Sequence, residues 1–150
     1  MKQEESLYKL SHYYTTDEEK YSIFIKSPMD TEEFIKVIGA ICFKFEEVVD
    51  ESMDIEETHL AQILESFYGM KDVTESSKWL LPYTTLERSE WEDVNRFEHD
   101  GLNIIHIDLY SARENCCGKG YEELMNTHLP KSEEFESFMN DLIPIYLNSR

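Results

Sequence analysis

The segment LNIIHIDLY, residues 102–110, places His106 and Asp108 two apart, with Arg113 and Glu114 just beyond. A histidine and a carboxylate on one strand face could work as an acid–base pair. Strand ends are also where α/β proteins often place ligands. Under that reading the chain is a small enzyme or ligand-binding protein using His106, Asp108 and Arg113, with Cys116 nearby. A simpler reading is a solvated strand face carrying an Arg ion pair, and it is preferred.

The other chemical patterns fail on spacing. Cys116-Cys117-Gly118-Lys119-Gly120 has the Gly-Lys pair of a phosphate loop. Arg113 and Gly120 stand where that loop needs glycine and a hydroxyl residue. Asp50, Ser52, Asp54 and Glu56 alternate like the start of a calcium loop. Ile55 and Ala61 occupy the positions that need glycine and glutamate. Zinc ligands come in close pairs, whereas the histidines at 12, 59, 99, 106 and 128 are scattered. There is no His-Glu-x-x-His or Gly-x-Ser-x-Gly pattern. Thirty-two acids make close carboxylate pairs frequent by chance, and their polar surroundings do not favour a raised pKa. No catalytic residue, metal or cofactor is therefore expected.

Charge placement is more informative. Fourteen basic and 32 acidic residues give the 150-residue chain a net charge of −18. That charge argues against direct nucleic-acid binding and against anionic membranes. Residues 45–70 contain no Lys or Arg but hold eight acids. Seven of these, Glu46, Glu47, Asp50, Glu51, Asp54, Glu56 and Glu57, fall within twelve positions. A second acidic run at 87–100 includes Glu92 and Asp93. Acids add solubility, but such clustering also produces self-repulsion. A face shaped for a basic protein partner is the functional alternative. Phe67, Tyr68 and Trp91 are the aromatic anchors expected beside it.

In general character (small, acidic, single-domain, without a catalytic motif) the chain is similar to bacterial immunity proteins. These antitoxin-like inhibitors bind and block basic toxin domains, commonly nucleases. The analogy implies a toxin inhibitor whose carboxylates fill a positively charged cleft. A nucleic-acid mimic directed at DNA- or RNA-binding proteins fits the same composition. An adaptor subunit would instead show a large apolar patch.

These residues need a scaffold. Apolar residues at 41% and aromatics at 13% suit one folded domain over 1–150. No signal-peptide pattern or spanning apolar run appears, so a cytoplasmic location is expected. Three cysteines without such a signal point to thiols rather than a disulfide framework, with Cys42 in the core. Nothing in the pattern specifies an oligomeric state.

Asp30 and Glu33 form a capping box opening a helix over about 31–44. FKFEEVV could continue that helix or alternate as a strand. Asp54 and Glu57 suggest a second box, opening a helix over 55–68 that Gly69 ends. Leu7, Leu10, Tyr13 and Tyr14 have helical spacing over 4–14. Residues 21–26 read as a strand, 78–83 as an edge strand or extended segment, and 89–97 as a short helix. Tyr121, Leu124 and Met125 mark another helix. A last one covers 133–143, where Pro144 kinks or ends it. The expected architecture is α/β or α+β. A small sheet built on a central or near-central strand at 102–110 packs with four or five helices.

Overall fold

The computed structural model describes residues 5–11, 22–85, 92, 94–109 and 121–148. Among these residues the fold is α+β, a five-stranded mixed sheet packed with five α-helices. The strands are β1 (Ser6–Ser11), β2 (Ile23–Ser27), β3 (Lys71–Asp72), β4 (Val94–His99) and β5 (Leu102–Asp108). The helices are α1 (Thr31–Val48), α2 (Glu57–Tyr68), α3 (Thr74–Ser77), α4 (Tyr121–His128) and α5 (Glu133–Leu147). A 3-10 helix, Lys78–Tyr83, follows α3 directly.

The sheet order is β3-β2-β1-β5-β4. Only β1 and β5 are parallel; the other neighbours are antiparallel. β5 is thus an inner strand, as expected for 102–110, one place from the middle. The middle belongs to β1, which the apolar spacing assigns to a helix instead. The reason is burial on both faces. Tyr8 and Leu10 point to one side, Leu7, Lys9 and Ser11 to the other, and only Leu7 of the five is not fully buried. A strand covered on both sides loses the polar–apolar alternation that identifies strands. Tyr13 and Tyr14 lie outside the described residues.

α1, α2 and α5 pack on the Tyr8 side. Phe34, Ile38, Ile41 and Phe45 of α1 meet Tyr8, Leu10, Ile25, Ile105 and Ile107 of the sheet. Leu60, Ile63 and Leu64 of α2 and Phe135, Met139 and Leu142 of α5 complete this main core. The opposite side has a smaller core of Phe24, Leu80 and Ile104, flanked by Leu7 and Phe97. Leu80 comes from the 3-10 helix. KWLLPY is therefore neither a strand nor extended; it coils so that Leu80 seals the second face.

The remaining corrections have local causes. Residues 94–97 belong to a strand, because Asp100 and Gly101 both take positive φ, 50° and 82°. That pairing is the mark of a two-residue hairpin turn, and it sets His99 opposite Leu102. Residues 89–91 lie outside the described part. α1 reaches Val48, so FKFEEVV is helical. Its cap is as expected, with Asp30 accepting the Glu33 N–H at 2.9 Å. Glu56 is the N-cap of α2, and its side chain makes no cap bond. Its N–H donates instead to the Tyr146 hydroxyl at 2.7 Å. Gly69 closes α2 in the left-handed region. α5 runs through Pro144 to Leu147, because Leu142 and Tyr146 are buried on either side of the proline. Their burial outweighs the one backbone bond that proline removes.

Candidate functional site

The acidic residues come together at the corner where α1 hands over to α2. Glu46 and Glu47 sit in the last turn of α1. Asp50, Glu51 and Asp54 lie in the connection, and Glu56 and Glu57 begin α2. Glu47, Glu51, Asp54 and Glu56 are exposed, while Glu46, Asp50 and Glu57 are half-buried. The connection is held in shape from within. Asp50 accepts from both the Ser52 N–H, at 2.8 Å, and the Ser52 hydroxyl, at 2.6 Å. Buried Ile55 anchors its far end in the main core. Tyr146 holds Glu56 from below and also bonds His59 Nδ1 at 2.7 Å. Burial pushes the Tyr146 phenol above its ordinary pKa, an effect that the Glu56 N–H bond only partly offsets.

Helix electrostatics make the α1 side of this corner unfavourable. Unsatisfied carbonyls leave a helix C-terminus partly negative, and an acid there is worth roughly 0.3–1 kcal/mol in the wrong direction. Glu46 and Glu47 occupy that position on α1, whose last turn has no basic residue. Glu57 lies at the favourable end of α2. The α1 end of the corner therefore places carboxylates where stability alone would select cations.

A groove of about 910 Å³ opens beside the corner, between α1, α4 and α5. Glu47, Glu122, Glu133 and Glu136 line it against Lys44 and Lys131. Lys44 lies 3.7 Å from Glu47 and 3.4 Å from Glu136, so one ammonium is shared by two carboxylates. The groove continues the acidic surface from α1 to the start of α5.

Two of the aromatic residues expected beside these acids lie elsewhere. Phe67 and Tyr68 are at the far end of α2, about 15 Å along its axis from Glu57. Both are half-buried and engaged inside the molecule. Phe67 stands edge-on to Phe135 and Phe138, and the Tyr68 hydroxyl donates to the His128 carbonyl at 2.8 Å. Glu92 is exposed ahead of β4, where its N–H donates to the Asn95 side chain at 3.1 Å. Trp91, Asp93 and Arg113 lie outside the described residues, as do Glu114, Cys116, Cys117, Gly118 and Gly120.

His106 and Asp108 do not form a solvated face. Both are buried, on the sheet side opposite α1. The register sets Lys9 beside His106 and Ser11 beside Asp108. Ser11 Oγ and His106 Nε2 share a hydrogen bond of 2.7 Å. Lys9 Nζ donates to the Thr84 carbonyl at 3.3 Å, just past the 3-10 helix. Burial, then the Lys9 charge, lower the His106 pKa to about 3. The imidazole is accordingly neutral near pH 7. Sequence reasoning missed Lys9 and Ser11 because their segment reads as helical. Among the described residues, no three histidines, cysteines or carboxylates converge on a metal-sized site. Among them also, no helix is long and apolar enough to cross a membrane.

No protein-family model, curated protein or solved structure matches this chain.

Proposed function

We propose that this chain is an immunity-type inhibitor, an acidic protein that neutralises a basic toxin domain of nuclease type by covering its cationic cleft. The observation that carries this reading is the gathering of seven carboxylates at the α1–α2 corner, two of them against the dipole of α1. A nuclease cleft is positive because it holds phosphates. Carboxylates held on a fixed corner present an opposing charge pattern without the nucleic acid. Complementary fields accelerate encounter, toward 10⁸–10⁹ M⁻¹s⁻¹ at low salt for strongly charged pairs. The adjoining groove gives protruding lysines or arginines of the partner a concave surface to enter. The Ser11–His106 pair has no part in this reading. It is interior, and an imidazole with a pKa lowered to about 3 is a weak base.

The test uses the chain as bait in cells that carry its gene. The captured protein is expected to be basic, and its nuclease activity to vanish when an equimolar amount of the chain is added. Capture of only neutral or acidic proteins, or undiminished nuclease activity, would overturn the proposal. Capture of several unrelated nucleic-acid-binding proteins would replace it with the mimic reading.

A further inference from the structure

Among the described residues, five large apolar side chains are exposed, and Trp79, Tyr83 and Leu102 are three of them. Trp79 is 51% and Tyr83 54% accessible. They project from the 3-10 helix whose Leu80 is buried, so the segment buries one side and displays two aromatic rings. Tyr83 stacks on His99 with ring centres 3.9 Å apart. Trp79 stands 5.8 Å from His99 and 6.4 Å from Tyr83, tilted against both. Leu102 is the cross-strand partner of His99. Asp100, in the hairpin turn, puts an exposed carboxylate 3.5 Å from His99 Nε2. The nearby Lys78 ammonium is already held by Glu75 at 3.0 Å.

We infer that Trp79, Tyr83 and His99, with Asp100, form an aromatic platform that binds an arginine side chain on a basic segment of a protein partner. This rests on the cationic partner proposed above and adds a second contact to it. The platform lies on the sheet face opposite α1 and α2, so the acidic corner does not supply its charge. Charge complementarity selects the occupant. A second copy of a chain carrying −18 is repelled, and so is nucleic acid. Aromatic faces attract cations through the negative potential over the ring, and tryptophan does so best. A guanidinium is planar and weakly hydrated, so it stacks on a ring while its edge reaches a carboxylate. Asp100 is that carboxylate.

The experiment titrates the ¹⁵N-labelled full chain with a tetra-arginine peptide and, in parallel, with tetra-citrulline, its neutral isostere. The readout is the Trp79 indole N–H resonance, assigned from Trp79→Phe. Tetra-arginine is expected to shift it saturably, and tetra-citrulline to leave it in place. Tyr83→Ala and Asp100→Asn should each weaken that Kd about two- to fivefold, the range for exposed cation–π contacts. Tyr83 is more than half exposed, and asparagine tolerates the positive φ of position 100, so both variants should keep the fold. Circular dichroism checks this. A variant replacing Glu46, Glu47, Asp50 and Glu51 by Gln or Asn should keep the Trp79 Kd within a factor of two. Three results overturn the inference: no shift, an equal shift with citrulline, or a Kd that rises when the corner charges are removed but not with Tyr83→Ala or Asp100→Asn. The outcomes separate the two proposals. Intact arginine binding at Trp79 alongside unchanged partner binding by the corner variant removes the inhibitor reading alone. The reverse pattern removes the platform alone.

Discussion

Phe34→Ala should destabilise the fold by about 3–5 kcal/mol, the usual range for emptying a buried aromatic site. Phe34 is fully buried in the main core. Its ring lies flat on Tyr8, with centres 3.9 Å apart and planes 3° from parallel. This contact joins the first turn of α1 to the middle strand of the sheet. Alanine would remove one ring and leave the other facing a void that neither a strand nor a capped helix turn can readily close. Total stabilities of domains are about 5–15 kcal/mol, so a large share of the margin would go. Tyr8→Phe is the matched control. It keeps the stack and deletes only the hydroxyl that donates to the Met29 carbonyl, a change worth about 1 kcal/mol. Urea unfolding of both variants checks the difference. A loss below 1 kcal/mol for Phe34→Ala would mean that the helix layer does not depend on this contact.

The second large effect is a loss of stability in acid traceable to one histidine. The folded His106 pKa is lowered to about 3, first by burial and then by Lys9, against an ordinary value of 6.5. Between those values the unfolded chain binds a proton that the folded chain does not. Stability therefore rises with pH across this window, is fully present above about 6.5, and is lost as pH falls toward 3. The slope approaches about 1.4 kcal/mol per pH unit for one proton. His106→Gln keeps a hydrogen-bonding side chain beside Ser11 and removes the titration. Unfolding measured from pH 4 to 7 should show the variant's slope reduced by about one proton. An unchanged slope would place the acid sensitivity in the carboxylates alone.

Parts of this architecture are legible in the sequence because one local signal dominates there. Asp30 and Glu33 announce α1, a 3.6-residue period carries it, and Gly69 marks the end of α2. β5 is readable because its apolar run is long and β-branched. β1 is not, since helix packing on one face and the 3-10 helix on the other cover Tyr8, Lys9 and Leu10 alike. β4 hides behind the spacing of Val94 and Phe97, which suits a helix as well as an edge strand. The Asp100–Gly101 pair was the signal that could have resolved it.

The candidate sites divide in the same way. The acidic corner is legible because its residues are contiguous and the absence of basic residues needs no fold to be seen. The Ser11–His106 contact joins positions 95 residues apart, so only the β1–β5 pairing reveals it. The aromatic platform depends on two elements assigned differently from sequence. Trp79 and Tyr83 approach each other only once their segment coils instead of extending, and His99 meets them only at the end of a strand.

If carboxylates at the α1–α2 corner steer a basic partner, the association rate must depend on them. The deciding measurement is stopped-flow association of the quadruple variant Glu46→Gln, Glu47→Gln, Asp50→Asn and Glu51→Gln with the captured partner over a range of salt. These substitutions keep size and polarity and leave Asp54, Glu56 and Glu57 at the start of α2 untouched. At low salt the rate should fall about tenfold or more relative to the parent chain. Its dependence on salt should flatten, because fewer charges remain to be screened. Thermal stability should hold or rise, since Glu46 and Glu47 oppose the dipole of α1. An unchanged association rate at every salt concentration would contradict the account and leave this corner a solvated surface.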